Sequence, residues 1–259
     1  MVGMLCESVR ELPTNFDGWV AEPKIDGVRA LLEQNKITGR NGNDYTYKFP
    51  ELKTDIDAVI DGEIVCQNES FESTASRVHT KDLFQIKLLS KKFPVVFKVF
   101  DILEINGRDL TNLPLLERKE LLNTIDFKNS NYEILPFYQG QEKIEWLWDD
   151  VKVKDSEGII LKREDSRYVD KRSPNWVKLK NFKEAILEFN AYEEHPKGIL
   201  LKNDNGHRVN VNGYQAINVL AILQTTGKVK AEVQYLSYNK ETDAYRFPSF
   251  RGLYSEEKK

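Results

Sequence analysis

Glu22-Pro23-Lys24-Ile25-Asp26-Gly27-Val28-Arg29 sets a lysine between two apolar runs, with a glycine-containing turn on its far side. Trp19–Glu22 reads as a strand that ends at this lysine, and Val28–Leu32 reads as the strand that follows the turn. A strand-end lysine held near other cations loses part of its preference for the proton. It can then act as a nucleophile despite a free pKa of roughly 10.4. Taken alone, the same eight residues also describe an ordinary hairpin with an exposed lysine, because so short a pattern recurs by chance.

Further clusters lie along the chain. Asp61-Gly62-Glu63 sits in the apolar run Val59–Cys66, where a carboxylate on a strand can hold a hard divalent ion beside phosphates. Phe97-Lys98-Val99-Phe100-Asp101-Ile102-Leu103 places aromatics in a third strand-like run. Glu157-Gly158-Ile159-Ile160-Leu161-Lys162 repeats the order acid, glycine, buried strand. In Trp176-Val177-Lys178-Leu179-Lys180 the two lysines are two apart, so a strand turns both to one face, as a polyanion requires. Between Leu161 and Lys183 eight basic residues stand against three acidic ones, in a chain of net charge −3. Such concentration is an electrostatic footprint for phosphates.

Composition excludes several classes. At 259 residues, 40% hydrophobic and 31% charged, the chain is long enough for two domains and too apolar for disorder. Two cysteines, Cys6 and Cys66, and histidines at 79, 195 and 207 make neither a disulfide framework nor a zinc site. Apolar stretches reach only about five residues, as in Val219–Leu223, so no membrane helix and no signal peptide are read. A cytoplasmic setting is the expectation.

Tyr132–Phe137, Gly158–Lys162 and Trp176–Lys180 add strands, and helical periodicity appears at Leu115, Leu116, Leu121, Leu122 and Ile125 and again at Ile144, Leu147 and Val151. The mixture lacks regular strand–helix alternation, which predicts an α+β fold. After about residue 183 the pattern changes to short strands (Ala185–Tyr192, Gly198–Lys202, His207–Val211 and Val229–Tyr235) with one helix at Ala216–Leu223. That pattern predicts a small β-barrel, hence domains 1–183 and 184–259.

In this order, K-x-D-G-x-R, D-G-E, F-D-x-L, E-G-x-x-x-K and W-x-K-x-K resemble the covalent nucleotidyltransferase superfamily, and within it the ATP-dependent DNA ligases. Thr38-Gly39-Arg40-Asn41-Gly42, Asn106-Gly107-Arg108-Asp109-Leu110 with Leu113-Pro114-Leu115-Leu116-Glu117-Arg118, and Arg246-Phe247-Pro248-Ser249-Phe250-Arg251 extend the likeness over nearly the whole chain. The resemblance implies an α+β nucleotidyltransferase (ATP-grasp-like) adenylation domain followed by a C-terminal OB-fold β-barrel. It implies ATP as AMP donor, Mg²⁺ or Mn²⁺, and a monomer acting on nicked duplex DNA without a membrane.

By the same resemblance Lys24 becomes lysyl-AMP and Glu22 faces the adenine amino group. Arg29 and Arg40 hold AMP and the nick 5′-phosphate, and Phe100 stacks on adenine. Glu63 contacts ribose or metal, Glu157 helps place the metal, and Lys178 and Lys180 grip the α-phosphate. Family members often carry an arginine where this chain has Tyr254 and the tail Ser255-Glu256-Glu257-Lys258-Lys259, which leaves Arg246 or Arg251 to orient pyrophosphate. With 23 residues before Lys24 and a tight hairpin near 195–215, the expected enzyme is a minimal one. Arg77, Lys81, Lys87, Lys91 and Lys92 are candidates for its DNA-phosphate contacts. Rival readings are an RNA ligase, an mRNA-capping guanylyltransferase and a non-catalytic nick-binding module. No docking peptide for a protein partner is recognisable.

Overall fold

Strands dominate residues 3–68 and 70–255, the part of the chain that this computed structural model describes. They fall into two units, Met1–Leu179 and Lys180–Lys259. The first runs β1 (Leu5–Val9), β2 (Trp19–Pro23), β3 (Val28–Glu33), β4 (Lys36–Gly39), β5 (Ala58–Cys66), α1 (Phe71–His79), α2 (Leu83–Lys92) and β6 (Val95–Ile105). It continues through β7 (Arg108–Asp109), α3 (Leu115–Asn123), β8 (Tyr132–Ile134), β9 (Tyr138–Gln139), α4 (Gln141–Val153), β10 (Gly158–Arg163) and β11 (Arg172–Lys180).

Two sheets make this unit. One has the order β1-β11-β10-β2-β9, the other β4-β3-β5-β6-β7, with β8 added parallel on β6. Alternation explains their faces. Ile60 and Ile64 of β5 and Phe97 and Val99 of β6 point into one core with Leu32 and Leu122. Asp61 and Glu63 take the opposite face of β5. A register shift in the β5–β6 pairing, where Gly62 faces Val99 and Asp61 faces Asp101, leaves Phe100 as an extra residue. Such a bulge re-aims a side chain. The first sheet packs on α4 through Ile144, Leu147 and Val151, with Ala21, Ile159 and Leu179 beneath them. A third cluster, Met4, Leu31, Leu103, Tyr168 and Trp176, draws on strands of both sheets.

Helices α1 and α2 lie where the sequence reading has no element. Their signals are caps: Ser70 accepts from the Ser73 amide, and Asp82 from the Gln85 amide. Asp82-Leu83-Phe84-Gln85 carries the spacing of a capping box. Arg77 is corrected outright. It is buried at 1% exposure, grips Glu51 at 2.7 and 3.1 Å, and donates to the carbonyls of Lys48 and Phe93. An arginine whose side chain has no exposed surface cannot reach a DNA phosphate.

The second unit contains β12 (Lys183–Phe189), β13 (Ala191–His195), β14 (Gly198–Lys202), β15 (Arg208–Asn212), α5 (Tyr214–Thr226), β16 (Val229–Tyr235), β17 (Ser237–Asn239), β18 (Ala244–Arg246) and β19 (Ser249–Leu253). Sheets β12-β16-β19 and β13-β14-β15 are antiparallel and three-stranded, with β17-β18 as a separate hairpin. Phe189, Leu201, Val211, Val219 and Val233 form the core. No closed barrel forms among the described residues. The expected strand Ala185–Tyr192 divides at Asn190, whose amide turns to the Lys202 carbonyl, so β12 and β13 enter different sheets.

Candidate active site

Lys24 follows the last residue of β2, and its amide donates to the Gly158 carbonyl at 2.9 Å. Antiparallel pairing of β10 on β2 sets Ile160 opposite Glu22 and Ile159 opposite Pro23. The Glu157 side chain thereby reaches Lys24, and the Lys24 Nζ donates to Glu157 Oε2. Both side chains are largely buried, at 19% and 6% exposure, so little water screens the pair. Gly27 follows from close packing: a Cβ there would meet the Ile64 carbonyl oxygen at 2.4 Å. The Asp-Gly turn therefore admits no side chain where β3 starts against β5.

A cavity opens over this lysine. Glu22, Arg29, Arg40, Glu63, Phe100 and Lys178 line it with Lys24, as do Cys6, Lys162, Arg172 and Trp176. The fold thus gathers six of the seven further nucleotide-site residues expected from sequence. Lys180, the seventh, begins the second unit, its Nζ 5.3 Å from the Phe247 ring centre. Arg246 and Arg251 also belong to the second unit. Arg246 lies 5.0 Å from the Phe247 ring and Arg251 donates to Gln234 Oε1. The Tyr254 amide donates to the Lys230 carbonyl. Residues 256–259 of the tail lie outside the described residues.

Neighbours that the sequence reading left without roles prove decisive. Arg29 binds Asp61 through Nε and Nη2 at 3.0 and 2.5 Å, and Nη1 donates to the Met4 carbonyl at 2.6 Å. Burial opposes the Arg29 charge, but Asp61 outweighs it and raises its pKa. The Tyr168 hydroxyl donates to Asp61 Oδ2 at 2.5 Å, and burial followed by Asp61 keeps it protonated. The Arg29 guanidinium lies 5.2 Å from the Phe100 ring centre and 5.7 Å from that of Trp176. This is a cation held among aromatic faces.

Glu22, 1% exposed, pairs with two buried lysines. Lys162 approaches Oε2 at 2.7 Å and Lys119 meets Oε1. Lys119 also donates to the Phe100 carbonyl at 3.0 Å, which ties the carboxylate to the backbone of the aromatic wall. The Lys162 Nζ sits 4.3 Å from the Phe100 ring centre and 4.0 Å from that of Trp176. Burial lowers its pKa, and Glu22 works the other way. Nothing in the sequence marked Lys119, since α3 there reads as a surface between leucines. Burial pushes the Cys6 thiol up, against the pull of Lys162, so this wall of the cavity presents no ready thiolate.

Burial pushes the Glu63 carboxyl up to about 8, with Lys24 and Arg29 opposing and Glu157 and Asp61 reinforcing. A folded-state pKa above the unfolded value, roughly 4.3, favours folding while the proton is on. That contribution is complete below the unfolded value and disappears as pH climbs through about 8. In chelator-containing buffer the melting temperature should fall between pH 6 and 9, and Glu63→Gln should flatten the fall. Parallel profiles for the two proteins would refute the assignment.

Residues 1–180 match the family model for the ATP dependent DNA ligase domain. The SPbeta prophage-derived DNA ligase-like protein LigB of Bacillus subtilis (strain 168) is 31% identical over 216 residues, covering 78% of this chain and 76% of that protein. The bifunctional non-homologous end joining protein LigD of the same organism is 31% identical over 200 residues, and there the chain spans only 32% of the relative's length. A structure from a structure–function study of Lig E DNA ligases, on DNA binding with a minimal scaffold, superposes with a TM-score of 0.71 at 20% identity. It covers 97% of this chain and 98% of that one. A lysine paired to a carboxylate in a cation-lined cavity thus lies inside a domain whose family is shown by sequence, and the chain belongs to the ATP-dependent DNA ligases.

Proposed function

We propose that the chain seals 5′-phosphate/3′-hydroxyl nicks in duplex DNA through a lysyl-AMP intermediate on Lys24. The observation that carries the reading is the Lys24–Glu157 pair at the edge of the cavity. An ammonium has no lone pair, so the proton held on this contact must leave before attack. Glu157 is the acceptor already touching it. The freed amine then attacks the α-phosphate of ATP and pyrophosphate departs. AMP passes to the 5′-phosphate of the nick, and the 3′-hydroxyl displaces AMP to close the strand.

The cavity residues divide the work by position. Phe100, flanked by Arg29, Lys162 and Trp176, offers the ring face for adenine. Glu22, between two lysines, supplies the carboxylate to accept from the adenine amino group. Arg40, Arg29 and Lys178 meet the phosphates, as suits a reaction driven by positioning and positive charge. Among the described residues no three metal-ligating side chains lie together. Mg²⁺ fits such a site, because it binds through one or two carboxylates and takes its other ligands from water and phosphate. Glu63, which lines the cavity, and Glu157, which touches Lys24, are the residues to hold it. When bound it supplies charge to the triphosphate.

Lys180, Arg246 and Arg251 place cations on the second unit, which we assign the role of the OB-type domain, with Arg246 or Arg251 orienting pyrophosphate. Its short antiparallel strands around one helix support that role. The working form is a monomer on nicked duplex DNA.

Incubation with α-labelled ATP and Mg²⁺ should give a labelled protein band that discharges into sealed DNA when a nicked duplex is added. A band discharged only onto RNA would move the reading to an RNA-directed relative. Absence of a band, with nicked DNA still bound, would sink it in favour of a non-catalytic module.

A further inference from the structure

Helix α2 exposes a face that the proposed adenylation and sealing steps leave unused. Ile86 is buried and Leu89 and Ser90 are half-buried, which seats one side of the helix. On the opposite side, at 3.6 residues per turn, Leu83, Lys87, Lys91, Phe84, Leu88 and Lys92 follow one another around half the circumference. Leu83, Phe84 and Leu88 are 71%, 73% and 51% exposed. No acidic residue interrupts this arc. Among the described residues no ion pair joins Lys87, Lys91 or Lys92 to a carboxylate, and Lys92 rests 5.0 Å from the Phe93 ring centre.

The arrangement is costly in isolation. Lys87 and Lys91, four apart on a helix, repel each other. Three large apolar side chains grouped in water mark an interaction surface rather than scattered exposure. Residues 81–92 carry four lysines and one aspartate in a chain of net charge −3, so the charge is local. A partner relieving both costs must offer anions and apolar surface side by side. The sugar–phosphate rail of duplex DNA does so. Its phosphates recur about every 3.4 Å of axis on each strand, and lysines one helical turn apart stand about 5–6 Å from each other.

We propose that α2 is a docking face for the duplex that flanks the nick. Lys87, Lys91 and Lys92 contact backbone phosphates, and Leu83, Phe84 and Leu88 pack on deoxyribose. The proposal rests on the DNA-ligase reading and extends it to a surface separate from the nucleotide cavity.

The test uses the full chain, with two readouts: affinity for a fluorescent nicked duplex over a salt series, and self-adenylation with labelled ATP. Lys87→Gln/Lys91→Gln should flatten the slope of log K against log salt by about 1.8 and weaken binding about tenfold at moderate salt. Phe84→Ser should weaken binding with the slope intact. Both variants should self-adenylate at the wild-type rate, since no cavity residue is touched. Wild-type slope and affinity in the double-lysine variant would overturn the proposal while leaving the ligase reading standing. So would loss of binding to anionic vesicles with DNA binding unchanged, which would assign the face to a membrane surface. Wild-type protein that neither self-adenylates nor binds the nick would overturn both.

Discussion

Lys24→Ala is expected to abolish covalent capture of labelled AMP while sealing of a pre-adenylated nick remains measurable. Self-adenylation should fall by more than about 10⁴-fold, the scale seen when a covalent nucleophile is removed. The reason is the division of bonds among the steps. In the proposed reaction Lys24 Nζ forms and then breaks the bond to AMP, but the last displacement joins a 3′-hydroxyl to a 5′-phosphate that already carries AMP. That step needs the cavity's cations and shape, which the alanine leaves in place. The lost side chain also removes one partner of Glu157, a carboxylate 6% exposed, so folding must be verified by circular dichroism. A folded variant that fails both steps would contradict the role assigned to Lys24.

The second large effect is on stability. Arg118 and Asp101 are both fully buried, and they share two contacts of 2.8 Å. The Arg118 Nη1 also donates to the carbonyls of Leu113 and Ser166 at 2.6 and 3.0 Å. One guanidinium therefore fastens α3, β6 and the turn after β10 together, next to Phe100. Arg118→Met leaves Asp101 charged and unpaired in the interior. Breaking a buried pair from one side costs about 3–5 kcal/mol, a large share of the roughly 5–15 kcal/mol that holds a domain. Thermal unfolding should drop by about 6–20 °C. The double variant Arg118→Met/Asp101→Leu should recover much of that loss, because no charge is stranded. A double variant as unstable as the single one would show that packing, not the orphaned charge, sets the cost.

That pair also explains what sequence could and could not reveal. F-D-x-L and L-L-E-R were each legible as motifs, yet nothing in either announced that Asp101 and Arg118 are two halves of one contact. The same holds for Asp61, Arg29 and Tyr168, which lie up to 139 residues apart and meet only once both sheets exist. Apolar runs found β5, β6 and β10, and period-two alternation found β16, because burial on one or both sides of a strand is written directly into sequence. Helices α1 and α2 escaped because few apolar residues seat them, so only their caps signal them. On α3 the buried stripe runs through Arg118 and Lys119, and a pattern search for leucines passes over cations that are buried because they are paired. The second unit's strands were mostly visible. Which strand would pair with which was not, since that depends on the division at Asn190.

Strand β1 pairs in parallel with β11, Leu5 beside Arg172 and Val9 beside Leu179. A ribosome making this chain must therefore add about 170 residues after β1 before its partner exists. At about 5–20 residues per second that wait is on the order of ten to thirty seconds. During it, β1 is an unpaired strand with nothing native to join, open to wrong partners on neighbouring nascent chains. The wall carrying Cys6 closes last, so a chain stalled before residue 172 would hold Lys24 but lack the finished cavity. Nucleotide capture then becomes a signal that synthesis has passed β11, readable by pulling down truncated nascent chains through their label.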